Sequence, residues 1–235
     1  MTDYPTALML FAAGFGTRMG ALTKDRPKPL IRVMGTPLID HALTLAKAVE
    51  PRQIVVNLHY MADMLADHLK PHGSVVTTLE PDILETGGGL KAALPLLGPE
   101  PVYTLNPDAI WAGPNPLQML RTAWDPSRMD ALLVCVPVSQ TVGYSGSGDF
   151  TVDPGGQIQR GPGMVYGGAQ IVKTDGLADI SDRAFSLNLL WDRMLAQGRL
   201  FAIPYPGRWC DVGHPDGIQL AEILLTESVL VDPDV

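Results

Sequence analysis

Arg18 and Lys28 follow a glycine-broken apolar run, "LMLFAAGFGTRMGALTKDRPKPL" over residues 8–30. Glycine lets main-chain N–H groups approach phosphate oxygens closely. Arginine can grip a terminal phosphate with two N–H groups, whereas lysine offers a point charge. Pro27 and Pro29 bracket Lys28 and restrict its backbone, which favours a positioned charge over a waving one. Phosphate binding is the chemistry such a set serves, although two solvated loop cations would look the same. Two familiar phosphate patterns do not fit. The dinucleotide fingerprint needs a third glycine where this chain has Met19, and a loop opening directly into a helix; the Walker pattern needs Lys and Ser/Thr where Gly20 is followed by Ala21.

Holding that loop requires a strand before it and a sheet around it. "ALMLFAA" (7–13) is continuously apolar, as in a strand buried on both faces. From Thr36, "TPLIDHALTLAKAV" predicts a helix with Pro just inside its start and a greasy face at Leu38, Ile39, Ala42, Leu45, Ala46 and Val49. Strands are expected at 53–58, 74–79 and 101–106, and helices at 61–69 and 88–97. Such alternation implies crossover units and a largely parallel sheet. The second half is less regular. A buried strand at 131–138 precedes a Gly/Ser-rich turn and short strands around 149–152, 157–160 and 165–172. A helix near 186–197, strands in "LFAIPY" and "RWCDV", and a helix over 215–229 complete the chain. The expectation is an α/β, Rossmann-like three-layer sandwich with a mostly parallel mixed sheet. A small β-rich lobe should cover the sheet's carboxyl end, where open α/β sheets bind ligands. Without repeats or linkers, one domain over 1–235 is expected.

Composition narrows the partners. With 46% hydrophobic and 18% charged residues among 235, the chain can bury a core and is not of the disordered class. Its net charge of −8 argues against nucleic-acid binding, which needs a basic surface. A polyanionic ligand must be met locally. Cys135, inside "ALLVCVPV", reads as a buried thiol, and Cys135 and Cys210 lack partners at metal spacing; the five histidines show none either. No signal peptide or membrane span is read, so a cytoplasmic protein is expected.

The stretch "LFAAGFGTRMGALTKDRPKPLIRVMGTPLIDHAL" resembles the signature of sugar-1-phosphate nucleotidyltransferases, roughly L-A-A-G-x-G-T-R-[ML] followed by P-K-P-[LM]. "LEPDILETGGGLKAALPLLG" (79–98) and "GRWCDVGHPDGIQLAEILL" (207–225) are most similar to the compact bacterial N-acetylmuramate-1-phosphate uridylyltransferases. The resemblance implies the nucleotide-diphospho-sugar transferase fold, with NTP bound by about 1–130 and sugar phosphate by about 131–235. It implies attack of a sugar 1-phosphate on the α-phosphorus of an NTP, giving NDP-sugar and pyrophosphate, with Mg²⁺ as cofactor. The nucleophile is already an anion, since a phosphate monoester's second pKa is about 6. That fits the lack of any Ser/His/Asp constellation.

Carried over to this chain, the resemblance assigns Arg18 and Lys28 to catalysis. It assigns Ala12, Ala13, Gly14, Gly16, Thr17, Arg18, Lys28, Glu80, Glu85, Thr86, Gly87 and Asn106 to the nucleotide, with Gly87 and Gly88 allowing close approach of the base. Asp108 and Asp211 match the metal-binding aspartates, against plain readings as a turn residue and a helix cap. Gly148, Asp149 and Asn188 are expected at the sugar, and Arg160 is the candidate for its phosphate. The chain departs from the family at Asn106-Pro107-Asp108, where relatives commonly carry Asn-Gly-Asp. Were that glycine at positive φ, proline would displace Asp108. The runner-up readings are mannose-1-phosphate or other hexose-1-phosphate nucleotidyl transfer, and a non-catalytic nucleotide-binding module. A monomer or homodimer is expected.

Overall fold

A computed structural model of the protein describes residues 4–231; the start of the segment inspected for a signal peptide lies outside them. The first strand, β1 (Ala7–Leu10), is completely buried. A glycine loop and two 3-10 turns lead to a tiny hairpin, β2 (Arg32–Val33) with β3 (Thr36–Pro37). Helix α1 (Leu38–Lys47) therefore starts after Pro37, not at Thr36. Next come β4 (Gln53–Leu58), α2 (Ala62–Leu69), β5 (Val75–Leu79), α3 (Glu85–Leu97) and β6 (Val102–Leu105), close to their expected positions. Besides the two-residue strands, β7 (Ala109–Ala112) and α4 (Pro116–Ala123) are not among the expected elements. The signal for α4 was present, because Asn115 caps it by accepting from Leu117 N at 2.9 Å and Pro116 occupies its first turn. The remainder is β8 (Ala131–Pro137), β9 (Thr141–Val142), β10 (Phe150–Val152), β11 (Ile158–Arg160), β12 (Met164–Val172), α5 (Asn188–Ala196), β13 (Leu200–Pro204), β14 (Arg208–Asp211) and α6 (Asp216–Val231).

The main sheet runs β5-β4-β1-β6 in parallel, then turns over at β12, which is antiparallel to β6. Strand β8 pairs with the other edge of β12, and β13 lies parallel to β8. Alternation along β1 sets the layers. Leu8 and Leu10 join the core with α1, α2 and α4, whereas Ala7 and Met9 face α3 and α5. Helix α6 closes a third, smaller core with Met19, Ile31, Ile110, Cys210 and Val212. Cys135 and Cys210 are buried free thiols, and burial pushes the latter up to about 11. No helix among the described residues is long and apolar enough to cross a membrane.

The small β-rich lobe is continuous with the main sheet. The hairpin β10–β11 attaches to the start of β12 through Phe150 opposite Met164, so it extends the main sheet. A smaller sheet, β7-β14-β9, lies beside it. What allows β12 to serve both β10 and β6 is a register shift between Tyr166 and Gln170. Gly168 sits in that shift at φ +92°, and a Cβ there would lie 2.9 Å from the Asn106 Cβ. Only glycine meets both demands. Gly168→Ala is expected to lower unfolding free energy by about 1–3 kcal/mol, read by urea denaturation.

Candidate active site

The ends of β1, β4 and β6 open into a cleft of about 210 Å³, at the sheet's carboxyl edge. Ala12, Ala13, Gly14 and Gly16 form its floor, Lys28 and Asp108 one wall, Glu85, Thr86 and Asn106 another. Gly16 adopts a left-handed φ of 62°, and a Cβ on it would approach the Lys28 Cβ to 2.8 Å. The glycine thus lets the lysine stem pack directly against the loop.

Behind the floor lies a buried polar chain. Asn57 Oδ1 accepts from the Ala12 amide at 2.7 Å and the Ala13 amide at 3.4 Å. Its Nδ2 donates to Glu80 Oε1 at 2.7 Å, and Glu80 Oε2 accepts from Leu84 N at 3.1 Å. Asn57 and Glu80 are each 3% exposed. Glu80 is therefore not on the nucleotide surface as expected; it supports the loop through Asn57. A lone Asn in the apolar run "QIVVNL" was the sequence signal for this, and it was missed.

Gly87 also departs from expectation. The Gly87 and Gly88 amides both donate to the Phe185 carbonyl, at 2.8 and 3.1 Å. A Cβ on Gly87 would meet the Phe185 ring at 2.4 Å. The close approach that these glycines permit is that of the 183–185 segment, and the first-turn amides are already satisfied by it.

The two expected metal ligands come together. Asp108 ends the turn between β6 and β7, and Val212 N donates to its carbonyl at 2.8 Å. In the β7–β14 ladder Asp211 lies opposite Ala109, the residue after Asp108. Lys28 Nζ donates to Asp108 Oδ2 at 2.7 Å. Burial, and then the Asp108 charge, raise the Asp211 carboxyl above its ordinary range, while Lys28 and Arg18 act the other way. Pro107 is buried in the turn and leaves Asp108 beside Lys28. Two adjacent acids, all oxygen donors, suit a hard divalent cation. Arg18 is exposed and outside the main cleft, though its charge reaches Asp211, and Thr17 lines a neighbouring hollow with Phe15 and Tyr60.

A second cleft, about 320 Å³, adjoins the first and shares Phe11, Thr86 and Asn106 with it. Asp149, Asn188 and Arg160 line it together, from three separate elements. Asp149 Oδ2 accepts from Tyr166 N at 2.9 Å. Gly148 is outside the cleft; at φ +105° it passes so close to Gly163 that a Cβ would meet the Gly163 amide nitrogen at 2.6 Å. Its role is to let the turn fit.

Away from both clefts, His68 and His72 meet Asp40 with ligand atoms within 4.8 Å of one another, a grouping the sequence reading did not see. His68 and Asp40 are paired at 2.8 Å, and Lys47 Nζ lies 2.9 Å from His72 Nδ1. Burial, then Lys47, lower the His72 pKa.

The profile of the MobA-like NTP transferase domain matches residues 8–147. The chain is 39% identical over 243 residues to an N-acetylmuramate alpha-1-phosphate uridylyltransferase of Caulobacter vibrioides, covering 97% of this chain and 100% of that protein. It is 29% identical to the protein of the same name in Neisseria meningitidis, covering 92% and 96%. Among solved structures, UDP-glucose pyrophosphorylase complexed with UDP-glucose shares the fold, with a TM-score of 0.73–0.75 among such neighbours and 0.75 for this one, at 15% identity over 95% of this chain and 99% of that one.

Two predictions concern stability. Asn57→Ala would strand the buried Glu80 carboxylate and the Ala12 amide, costing about 3 kcal/mol in chemical denaturation. The raised Asp211 means that the fold binds this proton more tightly than the unfolded chain. Its contribution is therefore present at acidic pH and lost as pH rises through the carboxylate range. Metal-free protein should melt below its Asp211→Asn variant at neutral pH, the gap closing toward about pH 3. Added divalent cation should raise the melting temperature of the wild type more than that of the variant.

Proposed function

Because this chain belongs to the sugar-1-phosphate nucleotidyltransferases of the MobA-like NTP transferase family, we propose that it transfers a uridylyl group from UTP to N-acetylmuramate 1-phosphate. The observation that carries this reading is the meeting of Asp108 and Asp211 across β7 and β14, beside Lys28 and the glycine loop. A phosphate oxygen of the sugar attacks the α-phosphorus of UTP; the α–β bridging bond breaks and pyrophosphate leaves. No base has to remove a proton from this nucleophile. The difficulty is bringing two polyanions together in line.

Asp108 and Asp211 would hold Mg²⁺, which when bound screens the charge of the reacting phosphates. Lys28 and Arg18 bring positive charge to the same place, and the Asn57–Glu80 chain keeps the loop amides from rearranging. The nucleotide takes the first cleft, between the glycine loop and Glu85–Thr86. The sugar takes the second, with Asn106 at the junction. Both parts belong to one domain, which we place in the cytoplasm.

Pyrophosphate release should require UTP, N-acetylmuramate 1-phosphate and a divalent cation together, and stop with chelator. Lys28→Ala should lower kcat/KM by about 10²–10³-fold. Turnover confined to GTP with mannose 1-phosphate would move the protein to guanylyl transfer. Calorimetric nucleotide binding with no turnover of any pair would make it a binding module.

A further inference from the structure

The second cleft contains one cation, and its setting is unusual for a surface arginine. Arg160 closes β11, and its guanidinium lies over the Phe150 ring at 4.9 Å and the Trp191 ring at 5.9 Å. Its polar contacts go through Nη2 alone, to Asn188 Oδ1 at 2.8 Å and Asp192 Oδ1 at 2.9 Å. Nε and Nη1 have no hydrogen-bond partner among the described residues. Aromatic faces and one anchored nitrogen fix the plane of the group, and the two remaining nitrogens leave its other donors free for an anion. Those donors diverge, because Cδ lies between Nε and Nη1, so each offers an anion a single charge-assisted hydrogen bond.

The 1-phosphate is not that anion. It must reach the α-phosphorus in the first cleft, beside Lys28 and Asp108, and Arg160 lines only the second. Asn106, Phe11 and Thr86, which line both, mark where the sugar's C1 end would pass between them. Arg160 therefore meets a part of the sugar remote from C1. N-acetylmuramate differs from N-acetylglucosamine by one group, a lactyl ether on O3, and that group ends in a carboxylate. Asp149, anchored through Tyr166 N, is an acceptor suited to hydroxyls and would repel a second anion. Among the residues lining this cleft, Arg160 is the cationic side chain, and its pairing with Asp192 through Nη2 leaves Nε and Nη1 to face a carboxylate.

We propose that Arg160, held by Asn188 and Asp192 on the Phe150–Trp191 platform, is a carboxylate-binding subsite that selects sugars bearing the lactyl ether. This rests on the proposed uridylyl transfer. It changes the role expected for Arg160 from gripping the sugar's phosphate to reading its acid arm.

The test compares kcat/KM for N-acetylmuramate 1-phosphate with that for N-acetylglucosamine 1-phosphate, in wild type, Arg160→Gln and Arg160→Lys. For a sugar phosphate turned over too slowly, Ki as a competitor replaces kcat/KM. The ratio should fall about 10–100-fold in Arg160→Gln, mainly through KM for the lactyl substrate, with Arg160→Lys in between. A lost fold lowers both substrates alike, so the ratio separates selection from stability, and thermal melting checks it. An unchanged ratio in active variants, or an equal loss for both substrates, overturns the subsite and leaves uridylyl transfer standing. Wild-type protein that turns over neither sugar phosphate overturns the reading on which it rests.

Discussion

Two like charges are forced together by backbone pairing, and the rest of the site is arranged around that fact. Asp108 and Asp211 are brought close by the β7–β14 ladder and the bond from Val212 N to the Asp108 carbonyl, not by any attraction of their own. The Asp108 charge adds to burial in raising the proton affinity of Asp211. Lys28 offsets part of the repulsion from one side, and helix α6 with its small core clamps the ladder from below. Most of this local architecture keeps negative charge where more negative charge must arrive. Such an arrangement is favourable only if cations join it.

The glycine loop illustrates a second principle, that a binding surface is only as fixed as what lies behind it. The amides of Ala12 and Ala13 are tied to Asn57, Asn57 to Glu80, and Glu80 to Leu84 at the entrance to α3. Strand β4, the end of β5 and helix α3 thereby share one buried polar chain in which each named oxygen has a partner. Satisfied networks of this kind rigidify and select a single arrangement. Further along α3, Gly89 leaves the space that the Glu80 carboxylate needs, 2.7 Å from where a Cβ would stand.

Periodicity made the parallel half of the sheet legible, because its strands and helices carry continuous or alternating apolar patterns. The stretch 109–123 was not legible as a run, since β7 has only four residues and α4 begins in a proline-rich segment, although its cap was written in Asn115 and Pro116. Distances across the sheet were not legible either. Nothing local says that Asp211 should stand beside Asp108; resemblance alone supplied that pairing. The misplacements have a common cause. The resemblance placed Glu80 and Gly87 at the nucleotide, yet buried carboxylates and crowded glycines serve neighbouring protein atoms just as readily. His68 and His72 meet Asp40 through the packing of two helices, which spacing along one chain does not reveal.

Strand β12 is contributed by the later part of the chain, but its last residues pair with β6 of the earlier part, Val172 opposite Val102 through Ala169 opposite Leu105. The two parts of the chain are thus woven, not joined. A fragment ending near residue 130 would carry β6 as a bare border of four apolar residues, an invitation to self-association. The earlier part of the chain is therefore a poor candidate for excision or grafting, and an ancestor lacking the later part would have needed some other cover along that border.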